Sequence, residues 1–578
     1  MKIDAPQLTY GANLREDGHA EFRVWAPHAG SIKLQLNGSD IPMQRESGGD
    51  FVALAAARAG DRYAYAVDGG KPVPDPVSRL LPEGVHGPTE IVDPNAFRWG
   101  DGNWRGRRLE DLIIYELHIG TFTPEGTFDG VMKKFDYLLD VGITAIELMP
   151  VAAFPGTRNW GYDGVSMYAV QNSYGGPEGL KRLVDAAHTR GLAVLLDVVY
   201  NHLGNEGNYL RMFGPYFTAR HKTPWGEAVN YDAAGSEGVR RYVVNNALYW
   251  LREYHLDGLR LDAVQTIYDD SLPHILAEIT AAAASWRAES DREIVIVAET
   301  DENDRKHLLP RERGGFGLDA VWSDDFHHAV HAFFTGEARG YYQDFGKPEQ
   351  MVRAINQGFV FQGEHFKYWG KGRGTPSDGL ALPAHVIAIQ NHDQVGNRAG
   401  GERLGHLIPT GAAKLAAALL LLAPETPLLF MGEEFAAKSP FQFFTSYGDP
   451  ALQEAVRKGR REEFRAFGWK DVPDPEAPAT FERSRLDWKH GEAEKAMLQW
   501  YHALIEVRRR FVIPSDRSCR AALQSDGTLM VQVPAADPKM LLVAALKGKE
   551  CCWRPSMEWH GILHSDEDGF FVGVYEKH

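Results

Sequence analysis

Cysteine is scarce: Cys519, Cys551 and Cys552 are the only three in 578 residues. They match no common zinc spacing and leave one unpaired, so a reducing cytoplasm is the simplest home. Long apolar runs are missing too. No stretch approaches the roughly 18 apolar residues of a membrane span, the richest being residues 415–423. Met1-Lys2-Ile3-Asp4-Ala5-Pro6 lacks the apolar core of a secretion signal. Positive charge is in deficit, with 62 Lys and Arg against 78 Asp and Glu and a net charge of −16. That balance argues against nucleic-acid or anionic-membrane partners. Neither G-x-G-x-x-G nor G-x-x-x-x-G-K-[ST] follows a strand, which removes the usual support for a nucleotide-binding sheet. There is no internal repeat and no long low-complexity tract.

What is present is ordinary globular material, 44% hydrophobic and 24% charged, in a chain long enough for several domains. Residues 1–103 read as short strands. Phe22/Val24, Ile32/Leu34/Leu36 and Tyr63/Tyr65/Val67 alternate at period two between Gly, Asp, Asn and Pro clusters, which predicts a small β-sandwich. Trp104 and the arginines at 105, 107 and 108 mark a boundary. Over 104–511 the rhythm becomes strand and helix in alternation. Apolar strands are predicted at 112–117, 143–149, 192–199, 256–263, 294–298, 384–389 and 427–431, and helical spacing at 131–140, 180–187, 243–254 and 494–511. Near-continuous apolar strands alternating with helices define a parallel sheet covered on its faces. About eight of them suit a (β/α)8 TIM barrel with insertions. Residues 512–578 return to short strands and predict a C-terminal β domain.

In such a barrel the chemistry lies at the carboxyl ends of the strands. There the sequence places Tyr162 and Asp163, Asp197, Asn201 and His202, then Arg260 and Asp262, Glu299, and finally His392 and Asp393. Arg260 and Asp262 would share one strand face, with Leu259 and Leu261 on the other. A cation so placed keeps its neighbouring carboxylate ionised. Three carboxylates on three strand ends, amid His and Arg, form a glycosidase-like arrangement.

Four segments in order, Asp197-Val-Val-Tyr-Asn-His202, Gly258-Leu-Arg-Leu-Asp262, Ala298-Glu299 and Asn391-His-Asp393, resemble the four conserved regions of glycoside hydrolase family 13, the α-amylase superfamily. Further segments are similar to the trehalose-releasing branch of that family. These are Pro74–Arg79, Pro82–Gly87, Tyr115–Gly126, Asn159–Gly164, Thr223-Pro224-Trp225-Gly226 and Trp322–His328. The resemblance implies a carbohydrate-binding-like N-terminal module and retention of the α configuration. Asp262 is then the nucleophile, Glu299 the acid/base and Asp393 the stabiliser of the flattened ring. It further implies sugar contacts at Tyr162, His202, Trp225, Arg260, Gln265, Asp324, Asp325, Phe326, His327, His328, His392, Gln394 and Asn397. Common amylases carry Lys-His where Gln265 and Thr266 stand, so an unusual leaving group is expected. The implied substrate is malto-oligosyltrehalose, cut at the α-1,4 bond beside its trehalose end and supplied by a malto-oligosyltrehalose synthase. Loops 208–231, 324–345 and 358–383 are candidates to close the leaving-side pocket. No cofactor is expected, and His327-His328 matches no known metal ligand set. A glycogen-branching transferase and a non-catalytic glucan-binding barrel are the rival readings.

Overall fold

The computed structural model describes residues 8–223, 225–467, 472–546, 551 and 553–578. The N-terminal hexapeptide, Pro224 and Cys552 discussed above lie outside the described residues. The N-terminal strands form two four-stranded antiparallel sheets. Their alternating residues meet in a shared core, where the Phe22 and Tyr63 rings pack edge to face at 5.0 Å. Trp25 carries this sandwich onto the next unit by lying against Gly238 of helix α1 (Ser236–Glu253). A Cβ at 238 would fall 2.1 Å from the Trp25 ring, so only glycine fits there.

Eight parallel strands then close into a barrel. They are β1 (Ile114–Leu117), β2 (Ala145–Leu148), β3 (Ala193–Val198), β4 (Gly258–Leu261), β5 (Val295–Ala298), β6 (Ala320–Trp322), β7 (His385–Ala388) and β8 (Thr426–Phe430), and each pairs with its sequence neighbour. Seven fall within a residue or two of the expected stretches. β6 has only three residues, too few to show a period, and was not predicted individually. Side chains such as Ile114, Leu195, Val297, Val386 and Leu428 form a cluster separate from the main core, whereas Leu259 and Leu261 belong to the main one. The period-two alternation read for β4 therefore holds.

Two expectations are corrected. The helix expected over 131–140 is two short ones, Phe128–Met132 and Phe135–Val141, interrupted at Lys133-Lys134. The stretch Asp324–His328, expected as an open loop, is the first turn of helix α2 (Asp324–Thr335), which starts directly after β6.

Helix α3 (Thr410–Leu422) packs against the C-terminal five-stranded antiparallel sheet, and its Lys414 ties to Glu567 at 2.7 Å. The last barrel helix covers Glu492–Val507 and ends in a π turn, Arg508–Val512. From that turn Arg508 donates to the carbonyl oxygens of Leu421 (2.9 Å), Ala423 (2.6 Å) and Glu425 (2.5 Å), satisfying groups that the end of α3 leaves open. Among the described residues no helix is long and apolar enough to cross a membrane, and Cys519 and Cys551 are free thiols.

Candidate active site

β4 aims Arg260 into the barrel, where it is fully buried with its guanidinium 4.4 Å from the centre of the Trp322 ring. Its Nη1 donates to both oxygens of Asp197 (2.9 and 2.8 Å) and to Asp262 Oδ1 (2.8 Å). Its Nη2 lies 3.5 Å from Glu299 Oε2. One cation thus binds the carboxylates at the ends of β3 and β4 and lies beside the carboxyl at the end of β5, in a low-dielectric setting that strengthens both pairings. Asp262 Oδ2 accepts a second hydrogen bond from Asn201 Nδ2 at 2.9 Å.

Glu299 accepts from the backbone N–H of Ala263 at 2.6 Å. Ala263 sits in the left-handed region at φ +40°, a strained conformation for a residue with a Cβ. Burial pushes the Glu299 carboxyl well above the usual carboxylate range, and Asp262, Asp393 and Asp324 add to the rise against the pull of Arg260. Asp324 is itself raised to about 7, mainly by burial. A buried acid with a raised pKa stands beside an acid clamped by arginine, an arrangement that can divide proton donation from nucleophilic attack.

His392 opens the short helix after β7. Its backbone N–H donates to Glu116 Oε2 at 2.9 Å, and its Nδ1 meets Glu116 Oε1. Burial would lower its pKa, but the attraction of Asp393 and Glu116 prevails and raises it to about 9. Tyr162 stacks on this imidazole (5.2 Å, 23°) and donates its hydroxyl to Asp197 Oδ2 at 2.5 Å. His202 has both ring nitrogens engaged, with Asn201 Oδ1 (2.7 Å) and Tyr162 O (2.9 Å). Its ring stacks on half-exposed Trp225 at 4.1 Å and 6°.

A cavity of about 240 Å³ opens onto Glu299 and Asp393. Of the residues picked from sequence, Gln265, Asp324, His328, Gln394 and Asn397 line it as well. Gln394 Nε2 reaches Asp324 Oδ1 at 3.1 Å, and Asn397 Nδ2 reaches Asp393 Oδ1 at 3.3 Å. Tyr341, Phe366, Tyr368, Trp369 and Arg373 also line the cavity. Loops 324–345 and 358–383 therefore contribute to it, while loop 208–231 supplies Trp225 instead.

Asp325, Phe326 and His327 are absent from that lining. In a helix, residues four apart share a face, so α2 turns Asp324 and His328 to the cavity and its intervening residues elsewhere. Asp325 is consumed by Asn303 Nδ2 (2.7 Å), the N–H groups of Val360 (2.7 Å) and Phe361 (2.9 Å), and Arg373 (2.9 Å). Phe326 is core, and His327 is held by Ile389 O (2.7 Å) and Tyr342 Oη (2.9 Å).

Sequence reading missed Glu116, Arg373 and Trp369. Glu116 carried a signal, an acid inside an otherwise apolar strand; Arg373 and Trp369, in a Gly-rich insertion, carried none. It also missed His221, Asp232 and Asp270, whose ligand-type atoms lie within 4.8 Å of one another. Arg220 pairs with Asp270 (2.6 Å) and Asp232 (3.3 Å), so a guanidinium already answers their charge.

A closed (β/α)8 barrel with an arginine-bound acid on β4 and a buried acid on β5 is the arrangement of a glycoside hydrolase of the α-amylase type. The catalytic-domain model of alpha amylase matches residues 91–221. A Saccharolobus solfataricus protein named malto-oligosyltrehalose trehalohydrolase is 47% identical over 512 residues, 88% of either chain. A protein of the same name from Rhizobium sp. strain M-11 is 47% identical over 506 residues, 85% of either chain. A crystal structure of a Salmonella typhimurium protein assigned as an alpha amylase superposes with a TM-score of 0.90 at 40% identity, covering 98% of this chain and 100% of that one. The chain belongs to the malto-oligosyltrehalose trehalohydrolase family.

Proposed function

We propose that the chain hydrolyses the α-1,4-glucosidic bond next to the terminal trehalose of malto-oligosyltrehalose, releasing trehalose and a malto-oligosaccharide with retention of configuration. The observation that carries this reading is the single guanidinium of Arg260 touching both Asp262 and Glu299. Double displacement needs two carboxyl groups about 5–5.5 Å apart, and one guanidinium can serve two groups only when they are close neighbours.

Asp262 attacks the anomeric carbon and forms a glycosyl ester as the bond to O4 of the trehalose unit breaks. Glu299 passes its proton to that departing oxygen, then takes one from water as the water adds to the anomeric carbon and the ester bond breaks. Asp393, whose side chain is 43% exposed toward the cavity, binds sugar hydroxyls and favours the flattened ring. Tyr162, Arg260, His202 and His392 build the floor under that sugar. Asp325, Phe326 and His327 support the wall rather than touch substrate. Glu299 faces the cavity, so the cavity is the leaving-group side, and Phe366, Trp369 and Arg373 form the end against which trehalose rests. Gln265, whose Oε1 has no partner in the protein, offers a free acceptor to its hydroxyls. Residues 104–511 form the catalytic unit, between the sandwich of 1–103 and the β domain of 512–578. A malto-oligosyltrehalose synthase in the same cytoplasm supplies the substrate.

Separate incubations with maltotriosyltrehalose and with amylose test the reading. Free trehalose from the first supports it; new α-1,6 branches on the second, with no trehalose from the first, would reject it in favour of a branching transferase.

A further inference from the structure

His392 meets an acidic side chain at each ring nitrogen, Glu116 at Nδ1 and Asp393 at Nε2. Glu116, on β1, accepts the His392 backbone N–H at one carboxylate oxygen (2.9 Å) and faces Nδ1 with the other. A carboxylate has no proton to give, so Nδ1 must donate. On the other side, Nε2 lies 2.7 Å from the Tyr162 hydroxyl, and that hydroxyl spends its own proton on Asp197. Nε2 also lies 3.4 Å from Asp393 Oδ1. Every partner of Nε2 is an acceptor, so it must donate as well. Only the imidazolium donates from both nitrogens.

We propose that Glu116 is a positioning residue that keeps His392 doubly protonated, a fixed cation between the floor of the sugar site and Asp393. The proposal rests on the hydrolase reading only for its kinetic consequence. Glu116 and His392 are each about 1% exposed, so the pair is shielded from water and from salt. The other charged or titratable groups facing the imidazole are Tyr162, Glu147, Asp197, Arg260, His118 and Asp393. Glu147, from β2, is buried with neither carboxyl oxygen partnered, and burial raises it well above the usual carboxylate range, so it stays uncharged and does not compete for the imidazolium. Burial lowers His118 to about 4, which leaves it neutral. Arg260 repels the imidazolium, so the charge depends on Asp393 and on Glu116, which adds a hydrogen bond at Nδ1 to its attraction.

With both protons in place, the proton of Nε2 reaches the Tyr162 oxygen and orients that hydroxyl toward Asp197, which Arg260 holds from the other side. Glu116 thereby fixes a chain of hydrogen bonds running from β1 through His392, Tyr162 and Asp197 to the guanidinium that holds Asp262. Loss of the Nε2 proton would turn the imidazole into an acceptor aimed at Asp393, and the Tyr162 hydroxyl would have to rotate.

The test is histidine nitrogen NMR of the whole chain, with the His392 signal assigned by its loss in His392→Gln. In the wild type both His392 nitrogens should be protonated at pH 7, with a midpoint near 9. In Glu116→Gln the midpoint should fall by about one to three pH units, the usual effect of a direct opposite charge. The alkaline limb of kcat/KM for trehalose release should move down with it, and Glu116→Asp should restore part of the shift. A His392 that is neutral at pH 7 in the wild type, or an unchanged midpoint in Glu116→Gln, would overturn the proposal. Should Glu116→Gln fail to fold, the wild-type titration decides by itself. A wild type that releases no trehalose would count against the hydrolase reading alone, because the NMR result needs no substrate.

Discussion

The N–H of Ala263 donates to Glu299 at 2.6 Å, so the residue directly after Asp262 anchors the Glu299 carboxyl. One residue therefore joins the two side chains, and its backbone is left-handed at φ +40°.

Replacing Glu299 with Gln should keep substrate binding and lower kcat by about 10²–10⁴-fold, the usual worth of general acid–base catalysis. In the wild type the acid works only while protonated. Its raised pKa therefore lets activity persist above the normal carboxylate range and fail as pH rises through the Glu299 or the His392 transition, whichever comes first. Stopped-assay rates across pH, with binding measured calorimetrically in Glu299→Gln, check both statements.

Arg260→Met should be costly to stability as well as to turnover. The substitution strands Asp197 and Asp262 without their shared cation and takes the positive charge from beside Glu299, and removing one partner of a buried ion pair costs about 3–5 kcal/mol. Arg260→Lys should rescue little, because an ammonium cannot fork to several carboxylates. Urea unfolding of both variants gives the numbers.

Trp369→Ala should raise KM for maltotriosyltrehalose while leaving the folding midpoint near that of the wild type. The side chain lines the cavity and is only partly buried. A KM unchanged within error would remove Trp369 from the leaving-group side.

At the opposite end of the barrel, His188 bridges Asp101 (2.8 Å) and Asp257 (2.9 Å) beneath a stacked Trp104 ring. Burial opposes its protonation, but the two aspartates win and raise its pKa. A raised pKa means the stabilisation is complete below the unfolded value of about 6.5 and disappears as pH rises through the folded one. His188→Gln should therefore lose more Tm at pH 6 than at pH 9. Equal losses would show that the clasp is not ionic.

Much of this was legible in the chain. The apolar strands and their acid-bearing ends gave the barrel and placed Asp262, Glu299 and Asp393, because strand periodicity projects straight onto barrel geometry. The helical start at α2 was not legible. Asp324 to His328 read as a polar loop, and only the helix start shows that Asp324 and His328 face the cavity while Asp325 is spent on backbone N–H groups. Glu116 escaped because its role depends on a partner 276 residues away. The cavity wall at 366–373 belongs to an insertion with little periodicity to read.

Hydrolysis of maltotriosyltrehalose in ¹⁸O-water, followed by NMR and mass spectrometry, tests the central claim most directly. Attack by Asp262 with proton transfer from Glu299 predicts unlabelled trehalose, with one ¹⁸O on the new anomeric carbon of the malto-oligosaccharide, which emerges first as the α anomer. Label in trehalose, or an initial β anomer, would contradict it.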